Sequence, residues 1–202
     1  MSEARRYHHG DLRNTLIVAA AELIDERGTL DFSITEAAQR AGVSNAAPYR
    51  HFKDREDLLI AVRDLALMGL SSACLAAQDQ TPQHSMERLT ALGQAYLDYA
   101  EQKKPFLSLM WEDRGDMDDR RANIALKQTG FQIVVQAVED YCSQHSRGQS
   151  ADPIFIATQL WALAHGIATL QVNQMLDLFD QTLSAKELLE SSVRNLLTGL
   201  ER

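Results

Sequence analysis

The sequence is short of residues that interrupt regular structure. It has four prolines and ten glycines in 202 residues, which leaves room for long unbroken elements. β-Branched residues are sparse beside Ala and Leu, which argues against a strand-rich chain and favours helix. The two cysteines, Cys74 and Cys142, are too far apart for a zinc spacing and too few for a disulfide scaffold. Two idle thiols in a reduced, cytoplasmic setting are expected. No long apolar run is clean. The greasiest window, PIFIATQLWALAHGIATL at 153–170, is interrupted by Gln159 and His165 and reads as a buried helix, not a bilayer span. No apolar stretch of signal-peptide type follows the basic start at Arg5 and Arg6.

Catalytic signatures are also missing. There is no Gly-rich phosphate loop, paired-carboxylate pattern or Cys–His pair. His8 and His9 are adjacent, without the i, i+4 spacing that puts two metal ligands on one helical face. EDRGDMDD at 112–119 is acidic but lacks the calcium-loop spacing and reads as a solvated turn. An enzyme is not the expected reading, and no cofactor or metal is called for.

What is present is 45% apolar residues, enough for one or two packed helical domains. The net charge is −8 but unevenly spread. Residues 1–55 hold eight Arg/Lys and eight Asp/Glu, whereas the remainder holds twelve against twenty. A neutral first quarter in an acidic chain leaves room for a local cationic face, and phosphate contact depends on that face, not on the total.

Residues 11–28 predict a first helix, with Leu12, Leu16, Ile17, Ala20, Leu23 and Ile24 on one stripe, Asp11 as cap and Gly28 as stop. Ser33 and Glu36 form a capping box at the start of a second, short helix that Gly42 ends. Ser44 is expected to cap a third, NAAPYRHF, with Pro48 in or just after its first turn. Pro48 and Phe52, four apart, can share a core face. Asp54 starts a long fourth helix. Further helices are expected at about 86–102, 105–113, 118–145, 153–177 and 184–200. Pro105 and Pro153 sit at helix starts, and Ser184 and Glu187 form a second box. The expectation is an all-α chain divided into residues 1–54 and 55–202.

Two short helices joined by AGVS, the second opening at a serine, describe a helix-turn-helix. The second helix of such a unit enters the major groove of DNA. Tyr49, His51 and Lys53 then form a rim of phosphate donors, and Asn45, Ala46, Ala47 and Arg50 face bases. Alanine methyls can touch thymine methyls alone, so hydrogen-bonded reading rests on Asn45 and Arg50, at about 1–3 kcal/mol per bidentate contact.

These residues carry a resemblance. YHHGDLRNTLIVAAAELIDERG and SITEAAQRAGVSNAAPYRHFKDREDLLIAV, followed by an all-helical remainder, resemble the TetR family of bacterial transcriptional regulators over residues 7–62. Trp161, His165 and Gly166 in LWALAHG resemble the tryptophan–histidine–glycine signature of one subgroup's C-terminal domain. The resemblance implies that Tyr49, His51 and Lys53 grip phosphates. It implies that Ser33 and Thr35 contact the opposite backbone or a base. Ser44, Asn45, Ala46, Ala47 and Arg50 would read the groove. Arg5, Arg6, Tyr7 and His8 are read either as a frayed start or as an arm touching DNA.

The resemblance further implies a homodimer on a palindromic double-stranded operator, joined through the two last helices. Leu160, Ile167, Leu189, Val193, Leu196 and Leu200 are the expected interface. It implies an effector pocket in the middle, for which Phe106, Met110, Trp111, Phe131 and His165 are the candidates, suiting an apolar or aromatic small molecule. The function implied is a ligand-responsive repressor, with activation as the other sign. The competing reading is an inducer-independent or nucleoid-organising DNA-binding protein, which a filled middle domain would favour.

Overall fold

Apolar periodicity sets the first helix. The computed structural model describes residues 12–112, 114–145, 152–178 and 181–198. In it, α1 spans Leu12–Arg27 and buries Leu16, Ile17, Ala20, Leu23 and Ile24. Gly28, at φ +67, ends it in the left-handed region that glycine enters cheaply. The expected cap, Asp11, lies outside the described residues. α2 spans Ile34–Arg40 behind the expected box: Glu36 N donates to Ser33 Oγ, and Ser33 N donates to Glu36 Oε2 at 2.7 Å. Gly42, at φ +71, makes the turn that follows.

The third helix differs from expectation. Residues 44–52 form successive tight turns, with a 3-10 stretch at Pro48–Arg50 whose N-cap is Ala47, not Ser44. The cause is Pro48. It has no N–H to give to Ser44 O, so Ala47 N takes that carbonyl instead, one residue early, at 2.9 Å. Pro48 and Phe52 are both buried, as their spacing requires.

α3 spans Arg55–Asp79 behind an Asp54 cap and is about 37 Å long. α4 spans Met86–Gln102, α5 Lys104–Trp111, α6 Met117–Ser143, α7 Pro153–Val172 and α8 Ala185–Thr198. No strand occurs among the described residues. α7 stops five residues before the expected end. Asn173 turns its amide back onto Thr169 O at 2.8 Å, and Gln174 swings to φ +55.

The chain is all-α. α4 is the hub, packing against α3, α5, α6, α7 and α8, while α3 packs on α1 at its start and on α4 and α6 further along. One continuous apolar core runs from Leu16 in α1 to Leu197 in α8. α3 is therefore shared between the N-terminal head and the helical body.

Candidate nucleic-acid interface and effector cavity

The head sorts its cations. Arg27 pairs with Glu36 at 2.5 Å, and Arg40 chelates Glu26 at 2.7 and 2.5 Å. Arg55 lies 5.0 Å from the Phe32 ring centroid, donates its Nε to Phe32 O at 2.6 Å and bonds Leu30 O. These three guanidiniums brace α1, α2 and α3 against one another. Glu36 is held down at about 2, first by the Arg27 hydrogen bond and then by the Ser33 backbone and hydroxyl.

The tight turns after Gly42 present the other cations outward. Ser44, Asn45, Ala46, Tyr49, Arg50, His51 and Lys53 are all exposed, and Ala47 is half-buried. Tyr49 is an aromatic ring left 57% exposed, which packing alone does not explain. Buried Pro48 and Phe52 anchor this row from behind. Ser33 is also exposed, but its hydroxyl is already committed to Glu36 at 2.8 Å and lies 2.9 Å from Thr35 Oγ1.

A cavity of about 360 Å³ lies between α3, α4, α6 and α7. Trp111 and Phe131 line it, as expected, along with Leu70, Cys74, Tyr96 and Trp161. Phe106 and Met110 do not line it. They face the closed core at 5% and 1% exposure. His165 stands behind the wall. Its ring stacks on Trp161 at 5.3 Å and 10°, and its Nδ1 lies 2.8 Å from Tyr96 Oη. Trp111 Nε1 donates to the same oxygen at 2.9 Å. Burial lowers the His165 pKa and pushes the Tyr96 phenol up.

A short connection joins cavity to head. Trp111 ends α5, and Asp116 caps α6 in a box with Asp119. Between them, Arg114 Nη1 donates to Glu56 at 2.9 and 3.1 Å, and Arg114 O accepts from buried Arg63 at 3.4 Å. Gly115, at φ +86, lets the backbone approach α3 so closely that a Cβ there would lie 2.7 Å from Ile60 Cδ1. Glu56, Ile60 and Arg63 fall at i, i+4 and i+7, one face of α3. Asp116 is held below the usual carboxylate range, first by the Asp119 and Asp118 N–H groups and also by the charge of Lys53. Arg114 and Gly115 therefore dock this turn on α3, while Asp116 and Asp118 stay exposed as a solvated turn requires. No group of three or more His, Cys, Asp or Glu placed to hold a metal occurs among the described residues.

Comparison with known proteins agrees with this geometry. The family model described as bacterial regulatory proteins, tetR family, matches residues 16–62. That described as tetracyclin repressor-like, C-terminal domain, matches residues 89–196, more than half of the chain. The chain belongs to the TetR family. It is 26% identical over 195 residues to the HTH-type transcriptional activator FasR of Mycolicibacterium smegmatis, covering 96% of this chain and 85% of that protein. A solved structure of a protein of unknown function from Rhodococcus sp. RHA1 superposes with TM-score 0.81 at 28% identity, over 98% of this chain and 100% of that one. The TetR family regulator PfmR from Thermus thermophilus superposes with TM-score 0.60 at 26% identity, over 93% and 99%. As a TetR-family protein, the chain is a DNA-binding transcriptional regulator with an N-terminal helix-turn-helix.

For this TetR protein, the expected dimer residues differ in how far a single chain covers them. Leu160, Ile167, Leu189 and Val193 are 6%, 3%, 1% and 1% exposed within a single chain. Their own α4, α6, α7 and α8 cover most of their surface. Leu196 is half-buried, and Leu200 lies outside the described residues, as does the arm at Arg5–His8. The open face of α7 is a different stripe: Phe155, Gln159, Ala162 and Gly166. The periodicity of 155, 159, 162 and 166 was available in the sequence. The signal was hidden because α7 is apolar on both faces.

Proposed function

We propose that this protein is a homodimeric, effector-responsive TetR regulator that binds a palindromic operator in the cytoplasm. The observation that carries the reading is the pairing of an exposed Tyr49–Arg50–His51–Lys53 row with an apolar cavity, joined through one docked turn. Tyr49, His51 and Lys53 supply phosphate contacts, and Asn45 and Arg50 supply base contacts. Repression is the proposed sign; FasR is named an activator, so a promoter fusion decides between them.

The dimer forms through the open faces of α7 and α8. Only a third of the apolar window of α7 is buried within one chain, and small Ala162 and Gly166 allow a partner helix close approach. Two-fold symmetry then sets the two heads on half-sites one or more helical turns apart, about 34–36 Å for one turn.

Regulation follows from the docked turn. Trp111 bounds the cavity, and three residues later Arg114 grips Glu56 in the first turn of α3. A ligand that displaces Trp111 or the start of α6 alters how that turn seats on α3, and with it the angle of the head. The shift is limited by the ligand's differential affinity for the two arrangements, commonly about 1–3 kcal/mol.

The test is fluorescence anisotropy with DNA from upstream of the protein's own gene, in a salt series with excess unrelated competitor. Competitor-resistant binding with an even number of subunits per site is expected. A preference-free titration on every genomic fragment would favour the nucleoid-organising reading instead.

A further inference from the structure

One arginine of the head belongs to neither group of cations described above. Among the described residues 12–54, the arginines and lysines are Arg13, Arg27, Arg40, Arg50 and Lys53. Arg27 and Arg40 are spent on Glu36 and Glu26, and Arg50 and Lys53 stand in the outward row. Arg13 lies on a different element, in the first turn of α1, and is exposed. Its Cζ stands 5.3 Å from the Phe52 ring centroid. Arg55 makes the same kind of contact with Phe32, but it also gives protons to Phe32 O and Leu30 O. Arg13 has no carboxylate or carbonyl partner among the described residues.

Helix stability does not ask for a cation at this position. The start of a helix is the positive end of its dipole and favours acids, yet the first turn of α1 holds no acidic residue. Packing does not ask for a charge either, because an uncharged methylene chain would cover the edge of Phe52 equally well. What the ring contact provides is aim. A planar guanidinium resting on a ring keeps its N–H edge for a second, anionic partner. Phe52 sets where that edge stands, since it lies between His51 and Lys53 and is itself buried at 2% exposure. Residues 51 and 53 are at most about 7 Å apart along the backbone, and phosphates recur every 3.4 Å or so of axis along one DNA strand.

Resting on the reading that the Tyr49–Lys53 row faces DNA, we propose that Arg13 is a further phosphate-binding residue, outside the helix-turn-helix. Phe52 holds its guanidinium beside the stretch of backbone that His51 and Lys53 grip. The contact is to phosphate and not to a base, because Arg13 stands on α1 and not on the turns that face the groove. It therefore adds affinity without adding sequence information.

The probe is a labelled duplex of unrelated sequence, read by fluorescence anisotropy between about 50 and 200 mM salt, because a phosphate contact needs no operator. One phosphate contact adds a slope of about −0.9 to log affinity against log salt. Arg13→Gln should therefore make the slope shallower by about one, so that the parent loses about three- to fourfold more affinity across that range than the variant does. Arg13→Lys keeps the charge and gives up the planar contact with Phe52, and it should keep the parent's slope. Lys53→Ala, a variant of the row itself, is the control. A slope that changes for Lys53→Ala but not for Arg13→Gln would overturn the inference and leave the reading of the row standing. Equal slopes for Arg13→Gln and Arg13→Lys would also overturn it, since an arginine that merely covers Phe52 is lost alike in both. An unchanged slope in all three would remove the reading of the row and this inference together, and would leave the effector cavity untouched.

Discussion

Tyr96 Oη lies 2.8 Å from His165 Nδ1, tying α4 to α7 behind the cavity wall. Trp111 Nε1 can only donate, and it donates to Tyr96, so one phenol oxygen joins α4, α5 and α7, and the direction of its bond to His165 follows the imidazole tautomer. Tyr96→Phe keeps the ring and removes the oxygen both partners need. Leaving two partly buried groups unpaired should cost about 1–3 kcal/mol. Urea unfolding with an unchanged m-value checks it. A loss below about 0.5 kcal/mol, the level of an ordinary surface change, would show that water restores the bonds.

The docked turn gives a second expectation. Glu56→Gln weakens the grip on Arg114 without touching either the exposed row or the cavity. Operator affinity without effector should stay within about threefold, because the contact lies outside the DNA-facing row. The effector's power to release operator should fall severalfold, consistent with a coupling of about 1–3 kcal/mol carried in part by this contact. Anisotropy titrations with and without effector separate the two quantities. Unchanged coupling would place the lever elsewhere on α3.

Arg50 and Lys53 should fail differently. Arg50→Ala should relax specificity at one base position, at about 1–3 kcal/mol. Lys53→Ala should weaken all sequences alike and reduce the salt slope by roughly one. Two variants with identical signatures would contradict the division of labour between base and phosphate.

Acid should act on the body before the head. Glu36 falls from its ordinary 4.5 to about 2 in the fold because Arg27 and Ser33 hold its charged form. A carboxylate lowered in this way stabilises fully above its unfolded value, and the contribution drains away as pH drops from about 4.5 towards about 2. His165 acts earlier. Burial lowers its pKa from 6.5, so its neutral form stabilises fully above 6.5, and that share is lost as pH falls below 6.5. NMR titration of the His165 ring should show a midpoint below 6.5, and a midpoint above it would show that burial does not govern this ring.

The sequence was most informative where one local rule acted alone. Ser33 and Glu36 made their box, Gly28 and Gly42 took left-handed turns, and Pro48 with Phe52 went inside. It misled where two rules competed. Ser44 has the chemistry of a cap, but Pro48 withholds the donor that a helix starting there requires. Periodicity says which residues are buried, not what lies opposite them, so Phe106 and Met110 could not be told from Trp111 and Phe131. The turn at 112–119 was legible as a turn but its docking was not, because the partners of Arg114, Glu56 and Arg63, lie more than fifty residues away. For α7, apolar residues on every side hid which stripe stays uncovered.

That uncovered stripe makes the last expectation. Ala162 lies on the open face of α7 beside Gly166, where a Cβ added at Gly166 would meet nothing within 4 Å in one chain. A guanidinium at 162 therefore has room in the monomer and no room in a close helix pair. Ala162→Arg should leave far-UV helicity and the thermal midpoint of the single chain intact, while the dimer weakens by at least about 1.4 kcal/mol, a tenfold rise in its dissociation constant. Sedimentation velocity across a concentration series reads this directly. Because two heads bind one palindrome, operator affinity should fall with the dimer, and raising protein concentration should recover it. A dimer undisturbed by Ala162→Arg would move the interface off this stripe. The same change at buried Leu189 should instead unfold the chain, which distinguishes an interface from a core.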